Sequence, residues 1–112
     1  MRNKQIIEQA ATAHFQAERT STPCQPLSVQ YPEMTLEDGY AIQKLWVDKK
    51  VAQGQKVIGY KIGYTSRAMQ KALNINEPDF GVLLDSMAFN DGAKIDVSTL
   101  CDPRIGVELH FI

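Results

Sequence analysis

Lys56-Val-Ile-Gly-Tyr-Lys-Ile-Gly-Tyr-Thr-Ser66 is the stretch on which the fold turns. Successive side chains of a strand point to opposite faces, and these residues alternate accordingly. Ile58, Tyr60, Ile62 and Tyr64 make one face bulky and apolar, while Val57, Gly59, Lys61 and Gly63 make the other. A glycine within a strand often marks the close approach of a ligand or of another backbone. Lys61, with glycine two residues to either side, is therefore set up to touch something small. Thr65 and Ser66 end the strand, and Ser66 is placed to cap a short helix from Arg67 to Leu73. A helix N-terminus beside a lysine favours an anion, which makes Lys61, Thr65 and Ser66 candidates for binding one. An edge-strand lysine that discourages strand pairing between molecules fits the same residues. The stretch alone leaves both readings open.

Upstream, Asn3 to Arg19 reads as a helix with Ile7, Ala10, Ala11, His14 and Phe15 on one stripe. His14 borders that stripe and is read as a packing residue. Pro23, Pro26 and Pro32, among threonines and serines, make Thr20 to Pro32 an extended connector. Thr35-Leu-Glu-Asp38 is a capping box that opens a helix running to Gln53 and stopping at Gly54. Leu36, Tyr40, Val47 and Val51 are expected on its core face, widened by Ile42, Leu45 and Trp46. Lys44, Asp48, Lys49 and Lys50 are expected on its solvated face.

Downstream, Pro78 and Gly81 mark a turn that returns the Asp79 carboxylate towards the strand end. Val82–Leu84, Met87–Phe89 and Ile95–Val97 are short strand candidates, and Asn90-Asp-Gly92 is a turn signal. Arg104-Ile-Gly-Val-Glu-Leu-His-Phe-Ile112 alternates again. It sends Ile105, Val107, Leu109 and Phe111 one way and Arg104, Gly106, Glu108, His110 and Ile112 the other.

With 112 residues the chain has room for one modest domain. Its 12 basic and 13 acidic side chains leave a net charge of -1, which offers no general attraction to nucleic acid or to an anionic membrane. No apolar run has the length of a signal peptide or a membrane span, so the cytoplasm is expected. Cys24 and Cys101 stand in no metal or redox spacing and read as reduced thiols.

Five stretches in register, Tyr31–Gln43, Gly59–Ser66, Glu77–Gly81, Leu84–Met87 and Pro103–Leu109, carry a resemblance that covers nearly all of the chain. It resembles the N-terminal part of the 2-oxo-alkenoate hydratases of aromatic catabolism, in the fumarylacetoacetate hydrolase superfamily. The branch acting on 2-oxohept-4-ene-1,7-dioate is most similar, followed by the 2-hydroxypenta-2,4-dienoate hydratases. The resemblance implies that Lys61 is an active-site lysine and Asp79 its acidic partner. It also implies a small 2-oxo or 2-hydroxy dienoate substrate, with Mg²⁺ or Mn²⁺ held against the 1-carboxylate and 2-oxo group. A hard dication there polarises the carbonyl while water adds to the distal carbon. The related 4-oxalocrotonate decarboxylases share the lysine segment but usually lack an aspartate at the position of Asp79, which favours a hydratase.

Two departures from the family pattern bear on activity. Members continue well beyond the position of Ile112, so residues 1–112 are expected to be a single incomplete α+β domain. Residues 1–56 would form its helical part, packed on a partial mixed sheet, and residues 57–112 the first strands of a β-roll. The family also places two glutamates two residues apart on the closing strand, whereas this chain has Glu108 but Gly106 in the first position. His110 shares that face, yet imidazole suits zinc, nickel or copper better than magnesium. The expectation is that the chain binds no Mg²⁺ and does not catalyse alone. A non-catalytic binder of small dicarboxylates is the first alternative. An interaction module that forms homo-oligomers or associates through an uncovered sheet is the second, and a decarboxylase-like member is the third.

Overall fold

The computed structural model describes residues 4–63 and 65–108. Helix α1 spans Lys4–Thr20 and buries Ile7, Ala10 and Ala11, a three-and-four spacing that lines up one face. The expected Asn3 start lies outside the described residues. The connector is not wholly extended, since Leu27–Gln30 forms a single helical turn, α2.

Helix α3, Leu36–Ala52, begins with the expected reciprocal cap. Thr35 Oγ1 accepts the Asp38 N–H at 3.2 Å, and the Asp38 carboxylate accepts the Thr35 N–H at 3.0 Å. The helix closes through Gln53 to Gly54, whose φ of 97° lies in the left-handed region that glycine tolerates best. Thr35→Ala should therefore cost about 1 kcal/mol. Urea midpoints will show it, with Thr35→Ser restoring most of the loss.

The core lies between the helices: Ile7, Ala10 and Ala11 of α1 meet Ile42 of α3, with Leu27, Met34, Ala41 and Leu45 packed around them. The buried face of α3 keeps Ile42 and Val47 of the one expected but not its two ends. Asp38, Ile42, Val47 and Lys50 are buried, while Leu36 and Val51 are exposed. The partner sets the face: α1 packs on the Ile42 side, and only a neighbour can desolvate a stripe. Lys50 is the second correction, because it is only 5% exposed instead of solvated. Its ammonium pairs with Glu18 of α1 and lies 4.6 Å from the Trp46 ring centroid, so the aliphatic stem is buried and the charge satisfied.

Strand β1, Val57–Gly63, agrees with the expected strand up to Tyr64, which lies outside the described residues. Ser66 then caps the short helix α4, Arg67–Ala72, by accepting the Met69 N–H at 3.2 Å. Strand β2, Asp79–Leu84, starts earlier than expected and runs antiparallel to β1, with a register irregularity between Val57 and Gly59. The other strand expectations fail. Asp85–Met87 and Val97–Thr99 each form a single 3₁₀ turn in place of strands at Met87–Phe89 and Ile95–Val97. Asp96 opens the latter turn, and its carboxyl sits below the usual carboxylate range because the Ser98 hydroxyl and amide both donate to it.

Residues 104–108 form no strand either, with Ile105 99% and Val107 98% exposed. Their alternation is that of a strand, but a strand is completed by a neighbouring strand, and the described sheet holds only β1 and β2. Residues 109–112, including His110, lie outside the described residues. Among the described residues the sheet is therefore two-stranded and antiparallel rather than mixed. The helices pack on each other more than on the sheet, leaving Ile58, Tyr60 and Ile62 exposed. The class is α+β. No helix among the described residues is long and apolar enough to cross a membrane.

Candidate active-site cleft

The strand register puts two charged residues and two glycines at the corners of one square. Lys61 faces Gly81, and Gly63 faces Asp79. Directly opposed residues and those two apart along a strand share a face, so all four point to the same side. Lys61 and Asp79 hold one diagonal and the glycines the other. A Cβ on Gly63 would lie 2.6 Å from Asp79 Oδ1, so the carboxylate fills the space that any side chain there would take. A Cβ on Gly81 would lie 3.3 Å from Lys61 Cγ, so the lysine stem runs over that glycine. Gly59 has nothing within 4 Å of the same point. One of the two gaps beside Lys61 is thus occupied by Asp79 and the other is open.

A cleft of about 540 Å³ opens on this square. Lys61, Thr65, Ser66, Asp79 and Glu108 all line it, with Met69 supplying apolar wall and Phe80 also at its margin. Lys61 is exposed and Asp79 half-buried, and among the described residues no ion pair joins them. Helix α4 has only six residues, so its dipole adds little and attraction for an anion rests chiefly on the Lys61 ammonium. With one ammonium facing two carboxylates, the cleft can hold an anion at Lys61 and offer Asp79 as a proton acceptor beside it.

Helix α3 reaches the square from the free edge of β2. Tyr40 Oη accepts the Phe80 N–H at 3.3 Å, and the two rings stack at 4.4 Å with 17° between their planes. Gln43 Oε1 lies 3.8 Å from where a Gly81 Cβ would stand. Sequence reading passed over Gln43, Met69 and Phe80 as site residues and took Tyr40 for core. The three-residue spacing of Tyr40 and Gln43 shows that they share a helix face but cannot show which strand that face meets.

The described residues do not fit a hard divalent ion. No group of three or more His, Cys, Asp or Glu side chains among them is placed to hold a metal. Glu108 lines the cleft, while Gly106 brings no donor and has only open space around it. Such an ion takes about six oxygens, more than two carboxylates supply.

No protein-family model matches the chain. Individual proteins do. The chain is 48% identical over 97 residues to the 2-oxo-hept-4-ene-1,7-dioate hydratase of Escherichia coli, an alignment covering 87% of this chain and 36% of that protein. It is 39% identical over 105 residues to the 2-keto-4-pentenoate hydratase of Paraburkholderia xenovorans strain LB400, covering 94% of this chain and 39% of that one. In structure it resembles the 4-oxalocrotonate decarboxylase of Pseudomonas putida G7 complexed with magnesium and adipate. The TM-score there is 0.86 at 29% identity, over 90% of this chain and 38% of that one. The chain spans about two fifths of the length of these relatives. Over most of its length the chain is thus similar to part of the 2-oxo-hept-4-ene-1,7-dioate and 2-keto-4-pentenoate hydratases.

Proposed function

We propose that these residues are the lysine-bearing part of a 2-oxo-alkenoate hydratase site, on the opening segment of a fumarylacetoacetate-hydrolase-like β-roll in a cytoplasmic enzyme. The observation that carries the reading is the cleft that gathers Lys61, Thr65, Ser66, Asp79 and Glu108 around one square of the sheet. Adding water to the far end of a conjugated 2-oxo acid drives electron density onto the 2-oxo oxygen. An ammonium at Lys61 stabilises that charge, and the Asp79 carboxylate takes the proton released by the attacking water. Met69 gives the carbon chain an apolar surface. In whole family members the catalytic dication would be completed by residues beyond those described. The exposed Ile58, Tyr60 and Ile62 face is where further roll strands, or a second copy, would pack.

The test uses the chain as it is. Titration with adipate, followed by amide shifts, should move Thr65, Ser66 and Gly81 at millimolar concentration. Shifts confined to another face would overturn the reading. Mg²⁺ calorimetry should show no saturable site, and 2-hydroxypenta-2,4-dienoate should not be turned over. One-site saturable Mg²⁺ binding would show that Glu108 finds more donors than the described residues place beside it. The structural likeness to a decarboxylase favours a second reading, which carbon dioxide release from 4-oxalocrotonate by a full-length member carrying these residues would support.

A further inference from the structure

Asp79 is the first residue of β2, and strand ends are where pairing frays. One helix contacts the residues just after it. Tyr40, five residues into α3, touches Phe80 twice: its hydroxyl accepts the edge-facing Phe80 N–H, and its ring stacks on the Phe80 ring. The N–H that Phe80 turns away from β1 would otherwise be held by water alone. One residue along, Gln43 of the same helix stands beside Gly81 and the Lys61 stem. The helix core and the charged square are thereby joined at the point where Asp79 enters the sheet.

We propose that Tyr40 is a positioning residue that keeps the Asp79 carboxylate over Gly63, facing the Lys61 side of the cleft. The inference rests on the hydratase reading for its purpose but not for its geometry. Tyr40 touches no reacting atom; it acts through the backbone of Phe80. With the hydroxyl gone, the Phe80 amide returns to water and the start of β2 samples open states more often. The Asp79 side chain, with only the missing Cβ of Gly63 opposite it, then has room to swing between rotamers.

Tyr40→Phe keeps the ring and removes the acceptor. Two ligand-free measurements by NMR read the result: hydrogen exchange of the Phe80 amide, and the three-bond couplings that report χ1 of Asp79. Exchange should quicken roughly tenfold, in line with one net hydrogen bond. The Asp79 couplings should move from single-rotamer values towards an average. Faster exchange with unchanged Asp79 couplings would overturn the proposal and leave Tyr40 as an edge cap only. Unchanged exchange would overturn it as well. Tyr40→Leu, which also removes the stack, should enlarge both effects, and a variant that loses both effects while still folded would count against the clamp. A double-mutant cycle on adipate affinity adds a readout that a merely structural role would not move: Tyr40→Phe should weaken binding in the parent chain and not in an Asp79→Asn background. If the parent chain binds no adipate, the hydratase reading falls while the two NMR measurements still decide the role of Tyr40.

Discussion

Ile42→Ala is expected to remove about 2–4 kcal/mol of stability, the range for cutting a buried isoleucine back to its Cβ. Ile42 is 4% exposed and stands where α3 meets Ile7, Ala10 and Ala11 of α1. Two alanines on the α1 side bring the helices close, so the cavity would open inside a close-packed helix pair. The described buried apolar set is small: Ile7, Ala10, Ala11, Ile42, Val47 and Leu84. Domains of this size have total stabilities of only about 5–15 kcal/mol, so one truncation takes a large share. Ile58→Ala is the matched control. Ile58 is 53% exposed, and its loss should stay within about 0.5 kcal/mol. Guanidinium unfolding of both variants separates the outcomes. Equal losses would mean that the sheet face carries as much stability as the helix pair.

Lys61→Ala is expected to weaken binding of a small dicarboxylate at least about tenfold while leaving the unfolding midpoint nearly unchanged. The affinity loss follows from removing one charge-assisted hydrogen bond, worth about 1.5–3 kcal/mol. Stability should hardly change because Lys61 is exposed and, among the described residues, in no ion pair. Gly63→Ala gives a sharper version of the same test. The backbone at Gly63 does not have positive φ, so alanine meets no conformational penalty there. Its Cβ would nonetheless stand 2.6 Å from Asp79 Oδ1 and force that carboxylate to swing away. The fold should persist, since the displaced atom is the far end of a side chain. Asp79 would leave its place over Gly63 without being mutated. A Gly63→Ala chain whose Asp79 χ1 and adipate affinity match the parent would show that the carboxylate has no fixed place in the cleft.

The two long helices and the first strand were largely legible in the residues themselves. Thr35 and Asp38, three apart, could close a capping box only around a helix start, and Gly54 could end that helix in the left-handed region. The period-two run from Val57 fitted no helix. Such signals are local: each is settled within one turn or one pleat, where the interacting atoms are covalent near-neighbours. What required the tertiary structure was everything that depends on a distant partner. Lys50 reads as a surface charge until α1 brings Glu18 beside it. Arg104–Ile112 has the pattern of a core strand, yet residues 104–108 form no strand, because pattern supplies a face and only a neighbouring strand supplies the ladder. The square itself belongs to this second kind. Glycines flanking Lys61 announced empty space, but only the β1–β2 register put Gly81 under the lysine stem and the Asp79 carboxylate over Gly63. A one-residue slip would have sent Asp79 to the other face, because side chains alternate with period two.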